Sequence, residues 1–337
     1  MYVSPLKELG GKEPPLFCKH FAPDGAKNMN LLTSRVLILF LFCLFAGAVP
    51  AVTPQDEDVS SRQIVLDRFN KARPADDVTA GVGGARAGVA VKPPVYRRTG
   101  QIRLPGRKSA TALTEEIGVT VWRLRPSQSD DTGARVLVLD GQKKSEWTPE
   151  RIEADTPLNI GDRVRLTIES PRPGFLYIVD REQYADGSLG EPMLIFPTTQ
   201  TRGGDNRVSP GKLIDIPAQE DQYSYFTAQP GGPRRDQIAE VLTIILLSQA
   251  LPLQITNQPL KLSDTQVAGW EKLWGGTAER LELVGGAGRT WTNEEKSAGA
   301  AKGRQLTQAG PPPQTVYRVA KKAGGPLLVT VPLRYAR

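Results

Sequence analysis

The chain has 337 residues, 43 Lys and Arg against 36 Asp and Glu, a formal net charge of +7, one His and two Cys. The basic surplus is mild and nowhere gathers five basic side chains in a row, so the electrostatic signature of a nucleic-acid binder is missing. Its 33 Gly and 28 Pro call for many turns and some disorder.

The first element is an apolar run from Val36 to Val49 that ends in small residues, Ala46-Gly47-Ala48 and Val49-Pro50-Ala51. A second start at Met29 would place Arg35 in a short basic region ahead of it. Residues 1–51 therefore read as an export signal with an upstream extension. The run holds 14 residues, roughly 21 Å of helix at ~1.5 Å per residue, against a hydrocarbon core of ~30 Å. That is short for a span. An uncleaved anchor is the alternative, and after cleavage no stable membrane span is expected. Cys43 lacks the small-residue pattern of a lipid attachment site.

Cleavage removes Cys18, His20 and Cys43, and the 286 residues after Ala51 keep 38 basic and 33 acidic side chains with neither Cys nor His. This excludes Cys/His proteases, Ser-His-Asp triads, disulfide frameworks and the common structural zinc sites. No cofactor and no metal is expected. An extracytoplasmic address, periplasmic or secreted, without disulfides fits a bacterial envelope protein.

Residues 52–116 have the composition of a disordered tail, with Asp56-Glu57-Asp58, a Gly/Ala-rich Thr79 to Ala90, and Lys92-Pro93-Pro94. One short helix is predicted there, Ser60 to Arg73, with a Ser60/Gln63 capping box, an apolar stripe of Ile64, Val65, Leu66 and Phe69, and Pro74 as its stop. From Ile117 short β-branched and aromatic runs alternate with Gly, Pro and Asp. In Arg163 to Glu169, Val164, Leu166 and Ile168 alternate with Arg163, Arg165, Thr167 and Glu169, which predicts one buried face and one wet face. Gly174 to Val179 has no polar break and predicts a central strand covered on both sides. Further strands are expected at Gly118 to Leu124, Arg135 to Leu139, Met193 to Phe196, Lys212 to Ile216, Tyr223 to Ala228 and Ile238 to Leu247, the last open to a buried-helix alternative. Beyond Pro252, Ser263 or Asp264 caps a helix over Thr265 to Trp274, Thr292 with Glu295 starts another toward Arg304, and Thr315 to Val319 with Leu327 to Leu333 read as a closing hairpin.

The stretches GDRVRLTIES from Gly161, GFLYIVDRE from Gly174, LIFP from Leu194, NRVSPGK from Asn206 and IPA from Ile216 resemble the bacterial domain-of-unknown-function family 4384, and GVTVWRL from Gly118 is similar to its preceding strand. The resemblance covers about Ile117 to Gln249. It implies an accessory role, since members are exported proteins or modules beside signalling and peptidase domains, and it carries over no catalytic residues. The fold class expected is mainly β, an antiparallel immunoglobulin-like β-sandwich over 117–250, with the disordered tail before it and a small helical and β C-terminal extension over 251–337.

Ser209-Pro210-Gly211-Lys212 has the Ser-x-x-Lys spelling of penicillin-binding enzymes, but Pro-Gly makes a turn where that chemistry needs a helix, and no Lys-Thr-Gly or Ser-Asp-Asn accompanies it. Asp180, Glu182 and Asp186 are mis-spaced for a calcium loop, so Asp186-Gly187 reads as a turn. Gly285 to Arg289 lacks the Lys-Ser/Thr of a phosphate loop and reads as a linker. Trp122, Trp270, Trp274 and Trp291 sit among apolar neighbours and read as core, with a sugar site as the alternative.

Charge placement is more specific. If each strand crosses the sandwich end to end, one end collects Arg172, Arg202, Arg207, Arg234 and Arg235 against Asp205 and Asp236. The other holds Glu182, Asp186, Glu191, Glu220 and Asp221 against Arg181. The expectation is a non-catalytic exported module whose five arginines bind an envelope partner, either a protein or an anionic glycan. A hydrolase using carboxylates or a Ser/Lys pair is the alternative. Two inward carboxylates in one cleft would favour the enzyme; a smooth sandwich with basic loops would favour binding.

Overall fold

The computed structural model describes residues 69–75, 94–103, 112–131, 133–140, 143–221, 224–231 and 234–336. The export signal lies outside them, as do Tyr223 and most of the tail helix, of which residues 69–72 are helical.

Among the described residues the chain folds into two antiparallel sheets. The larger has nine strands: β1 (Tyr96–Arg103), β2 (Ala112–Pro126), β3 (Val136–Asp140), β4 (Lys143–Ile152), β5 (Arg163–Glu169), β9 (Leu213–Ile216), β10 (Phe226–Thr227), β13 (Thr277–Leu283) and β14 (Thr315–Lys322). The smaller has six: β6 (Gly174–Tyr184), β7 (Met193–Phe196), β8 (Arg207–Val208), β11 (Gln237–Leu247), β12 (Leu260–Lys261) and β15 (Leu327–Arg334). β2 organises the larger sheet. Its register pairs it with β14 from Ala112 to Val119, with β4 from Val121 to Pro126, and with β5 from Gly118 to Leu124.

The sheets pack face to face over one apolar core. Val119, Val121, Val164, Leu166, Ile168 and Ile214 from the larger meet Leu176, Ile178, Phe196, Leu242, Ile244 and Val329 from the smaller. The fold is the antiparallel sandwich that the alternation predicts. β6 is central, between β7 and β11, and its outward Tyr177 and Val179 are covered by Val267 and Trp270 of helix α1 (Asp264–Trp274). The same cover explains why Ile238 to Leu247 is apolar at every turn of the pleat: it is strand β11, buried on both faces, and not a helix. Ser263 caps α1 by accepting from the Gln266 amide at 3.1 Å.

Several boundaries differ from the sequence reading. The tail assigned to residues 52–116 already contains β1 and the start of β2. β4, whose Lys, Glu and Pro content hides its strand character, was not predicted. The segment 251–337 is no extension. β14 lies between β13 and β2 while β15 pairs with β11, so the two closing strands enter different sheets instead of forming a hairpin with each other. A boundary at residue 250 would remove two strands from each sheet, β13 and β14 from the larger and β12 and β15 from the smaller. Helix α2 (Asn293–Gly299) has the Thr292/Glu295 capping box but stops at Gly299, short of Arg304.

Candidate functional site

The five arginines are not gathered at one end. β9 and β10 both run antiparallel to β5, Glu169 facing Leu213 and Arg163 facing Thr227, so they are two pieces of one edge strand. The loop between them does not change ends, and the parity of every later loop is reversed. Arg172, Arg202 and Arg207 share the end where β6 begins, since Phe175 pairs with Arg207 and Arg172 donates to the Leu246 carbonyl at 3.3 Å. Arg234 and Arg235 precede Gln237, which pairs with Tyr184 at the far end of β6. There Arg234 donates to Asp236 at 2.6 and 2.9 Å and to Asp186 at 3.1 Å, and lies 3.8 Å over the Tyr184 ring. The acidic end dissolves as well, because its carboxylates are buried or paired: Glu182 is buried, Glu191 pairs with Lys261, and Glu220 accepts the Ala301 amide.

At the β6-entry end the three arginines differ in what they hold. Arg172 is bound to Glu115 at 2.8 Å, and Arg207 grips Asp205 at 2.9 and 3.3 Å. That grip, before the burial that opposes it, holds the Asp205 carboxyl below its ordinary range. Arg202 has a buried Nη1 with no hydrogen-bond partner. The Ser209–Lys212 segment is a turn, the Lys212 amide bonding the Ser209 carbonyl at 3.1 Å with Gly211 at φ 76°, so the Ser-x-x-Lys helix does not form. Lys212 Nζ donates to the Ala300 carbonyl.

A polar layer that the sequence reading left as a wet face covers the outer side of the larger sheet. Arg165, Thr167 and Glu169 are buried together with Asp215, Arg151, Glu295 and Arg73. Residues 69–75, α2 and the segment 305–313 lie over them. Arg73 donates to Glu169 at 2.6 and 2.8 Å, Arg151 to Glu295, and Thr167 to Asp215 at 2.7 Å while accepting from the Trp122 indole at 2.7 Å. Trp122 and Trp291 meet edge to face at 6.2 Å and, with Trp270, are buried, as the core reading expected; Trp274 is half-buried and stacks on Trp270. Glu169 and Glu295 line one cavity with Thr120, Thr167, Pro311 and Pro313. Its volume of about 10 Å³ holds a single water molecule at most.

A third constellation sits on the inner face of β6 and β11. Asp180, Glu182 and Glu240 are 2 %, 4 % and 1 % exposed, Glu182 directly opposite Glu240. Glu240 accepts from Tyr335 at 2.9 Å and Gln237 at 2.7 Å, and Tyr184 donates to Glu182. One oxygen of each carboxyl has no partner. Burial pushes Asp180 up to about 7, with Glu182 raising it further while its interaction with Glu240 opposes, and pushes Glu240 up to about 10, with Asp180 and Glu182 both adding to the rise. Among the described residues no group of His, Cys, Asp and Glu is arranged to hold a metal ion.

No curated protein and no solved structure shows a significant match to the chain. Residues 157–238 match the model of a domain of unknown function (DUF4384), a narrower span than the sequence resemblance, running from just before β5 into the first residues of β11, and over that span the chain resembles this domain family.

Proposed function

We propose that the chain is a non-catalytic, exported binding module of the bacterial envelope that holds an anionic partner, protein or glycan, at the end where β6 begins. The observation that supports this reading is the placement of Arg172, Arg202 and Arg207 on loops anchored by β6 and β8, a rigid two-sheet frame presenting cationic side chains. Arg234 and Arg235 drop out of this site and become its internal control.

The hydrolase alternative has inward carboxylates in its favour, in two places. Neither place admits a substrate. Glu169 lines a cavity no larger than one water and is committed to Arg73, and Asp180, Glu182 and Glu240 are almost wholly enclosed. General acid or base catalysis needs the carboxyl within hydrogen-bond reach of a bound substrate atom.

The test is retention of the full chain on isolated envelope material. Arg202→Glu with Arg207→Glu is expected to lose retention while the chain still folds, because Arg207 is an exposed loop charge that contributes little to folding and Arg202, half-buried, leaves a guanidinium nitrogen without a hydrogen-bond partner. Arg234→Glu with Arg235→Glu is expected to bind like the wild type, and wild-type binding to weaken as the Debye length falls from ~10 Å at 0.1 M salt to ~3 Å at 1 M. Equal retention by both variants overturns the reading.

A further inference from the structure

We propose that the rim formed by the end of α1, the β14–β15 turn and the start of β2 is a contact surface for an anionic lipid bilayer, one that lies on the membrane without spanning it. This contact is separate from the arginine site above. It shares only that site's end of the molecule and takes lipid where that site takes a protein or glycan.

The register of the larger sheet brings the parts together. Thr277 pairs with Ala320, and the next two residues of β14, Lys321 and Lys322, pair with Leu113 and Ala112 of β2. Neighbouring strands lie ~4.8 Å apart, so these ends stand side by side. Leu273 and Trp274 close α1 just before Thr277, and Gly276 passes so near β14 that a Cβ on it would lie 2.4 Å from the Ala320 carbonyl oxygen. Helix α1 therefore ends against the rim. Arg172 reaches it from the other sheet: Arg172 Nε and Lys321 Nζ lie 2.8 and 2.9 Å from the two oxygens of Glu115.

The rim presents apolar tips among cations. Leu273, 76 % exposed, is the most exposed large apolar side chain among the described residues, and Leu113 is 59 % exposed although it stands in the inward row of β2 with Ile117 and Val119. Trp274 is half-buried and stacks on Trp270 at 5.6 Å, which holds its indole at the surface. Lys272 and Lys322 are exposed and have no ion-pair partner among the described residues. The acidic side chains beside them are Glu115, already held by two cations, and Glu271, half-buried on α1.

These residue types select the occupant. Protein–protein interfaces deplete lysine and gather their apolar side chains into a contiguous core. A fixed carboxylate or phosphate is matched by the arginine fork and not by a flexible ammonium. Separate leucine tips, an indole at the surface and lysines on long stems suit a bilayer: the tips enter the acyl boundary, the indole sits at headgroup level and the ammonium groups reach anionic headgroups.

The experiment titrates the full chain with vesicles of phosphatidylcholine alone or mixed with phosphatidylglycerol, their acyl chains brominated, and reads quenching of tryptophan emission. Quenching isolates the rim from the apolar run Val36 to Val49, which holds no tryptophan. The wild type is expected to be quenched on the mixed vesicles, less so as salt rises, and Trp274→Phe to lose the effect. Lys272→Glu with Lys322→Glu should lower the apparent vesicle affinity about tenfold or more, and Leu273→Asp should lower it as well. Leu137→Asp, at an exposed leucine of β3 outside the rim, should behave like the wild type. Equal quenching on both vesicle types overturns the proposal, and so does quenching retained in Trp274→Phe or in the double lysine variant. If Arg202→Glu with Arg207→Glu loses envelope retention while no vesicle quenches the wild type, the lipid face fails and the binding module stands. Quenching that follows the rim variants while that arginine pair leaves retention unchanged has the opposite meaning.

Discussion

Arg73 and Glu169 are 96 residues apart in sequence and meet as a two-pronged buried ion pair, Nε to Oε1 at 2.6 Å and Nη2 to Oε2 at 2.8 Å. The remaining guanidinium protons go to the carbonyls of Thr307, Gly310 and Pro311, so the side chain has an acceptor on every side. Gln308 returns two bonds, from its amide to the Pro74 carbonyl at 3.0 Å and from Nε2 to the Arg73 carbonyl at 3.3 Å. Residues 69–75 are thereby part of the fold. Gly118 belongs to the same fit: a Cβ there would lie 2.9 Å from Cζ of Phe69 and 2.8 Å from Cγ of Pro313.

Arg73→Ala should destabilise the protein by about 3–5 kcal/mol, because it leaves the Glu169 charge buried and unpaired. Arg73→Met with Glu169→Leu should recover most of the loss, since apolar replacement of both partners removes the desolvation cost as well as the attraction. Urea unfolding at neutral pH measures both. A single variant as stable as wild type would detach 69–75 from the fold.

That pair also marks the limit of what the sequence discloses. Leu166 and Ile168 announce an inward face by period alone, and Ser263, Thr292 and the Ser209–Lys212 turn announce themselves by local chemistry. Arg165, Thr167 and Glu169 look solvated because nothing nearby in sequence says what will cover them; the cover comes from residues 69–75 and from beyond residue 290. The same distance hides the central place of β14, whose Thr315 pairs with Val119. The arginines divide between the two ends for a topological reason that composition does not disclose: no signal in the sequence separates a strand that turns back from one that breaks and continues, as β9 and β10 do.

Ile178 is fully buried at the middle of β6, between Phe196 and Ile244 in the register. Ile178→Asp should abolish folding, because an uncompensated carboxylate there costs several kcal/mol, comparable with a whole stability of ~5–15 kcal/mol. Ser209→Ala, which loses only a 3.0 Å bond from Gln305, should fold and bind like wild type. Far-ultraviolet circular dichroism and the envelope assay report both. A hydrolytic activity abolished by Ser209→Ala would restore the Ser/Lys enzyme.

Processing is the next expectation. The small residues closing the apolar run place the mature N-terminus near Val49 or Val52. Intact-mass measurement on protein recovered from outside the cytoplasm decides it, and Phe40 to Leu44 still attached would favour the anchored alternative.

The last prediction concerns pH. Asp180 and Glu240 are raised to about 7 and about 10, from ordinary values of 3.8 and 4.5, so the folded chain keeps protons that the unfolded chain releases. Their contribution is therefore full below about pH 4 and is lost as pH rises, through about 7 for Asp180 and on toward about 10 for Glu240, at no more than ~1.4 kcal/mol per pH unit for each group. The titratable and charged groups around them are Glu182, Tyr184, Tyr335 and, over the Tyr184 ring, Arg234; the Arg181 backbone amide bonds Asp180, but among the described residues no lysine or arginine side chain pairs with the three carboxyls. Asp186 works in the opposite sense: its bonds with Ser188 and Arg234 lower it to about 2, and its contribution fades as pH falls below about 4. The melting midpoint of the wild type should thus decline from about pH 5 to pH 10. Glu240→Gln keeps an acceptor for Tyr335 and Gln237 without the ionisable proton, and should flatten that decline above pH 7. A midpoint that declines as steeply in Glu240→Gln as in the wild type would show that the alkaline loss originates in other groups.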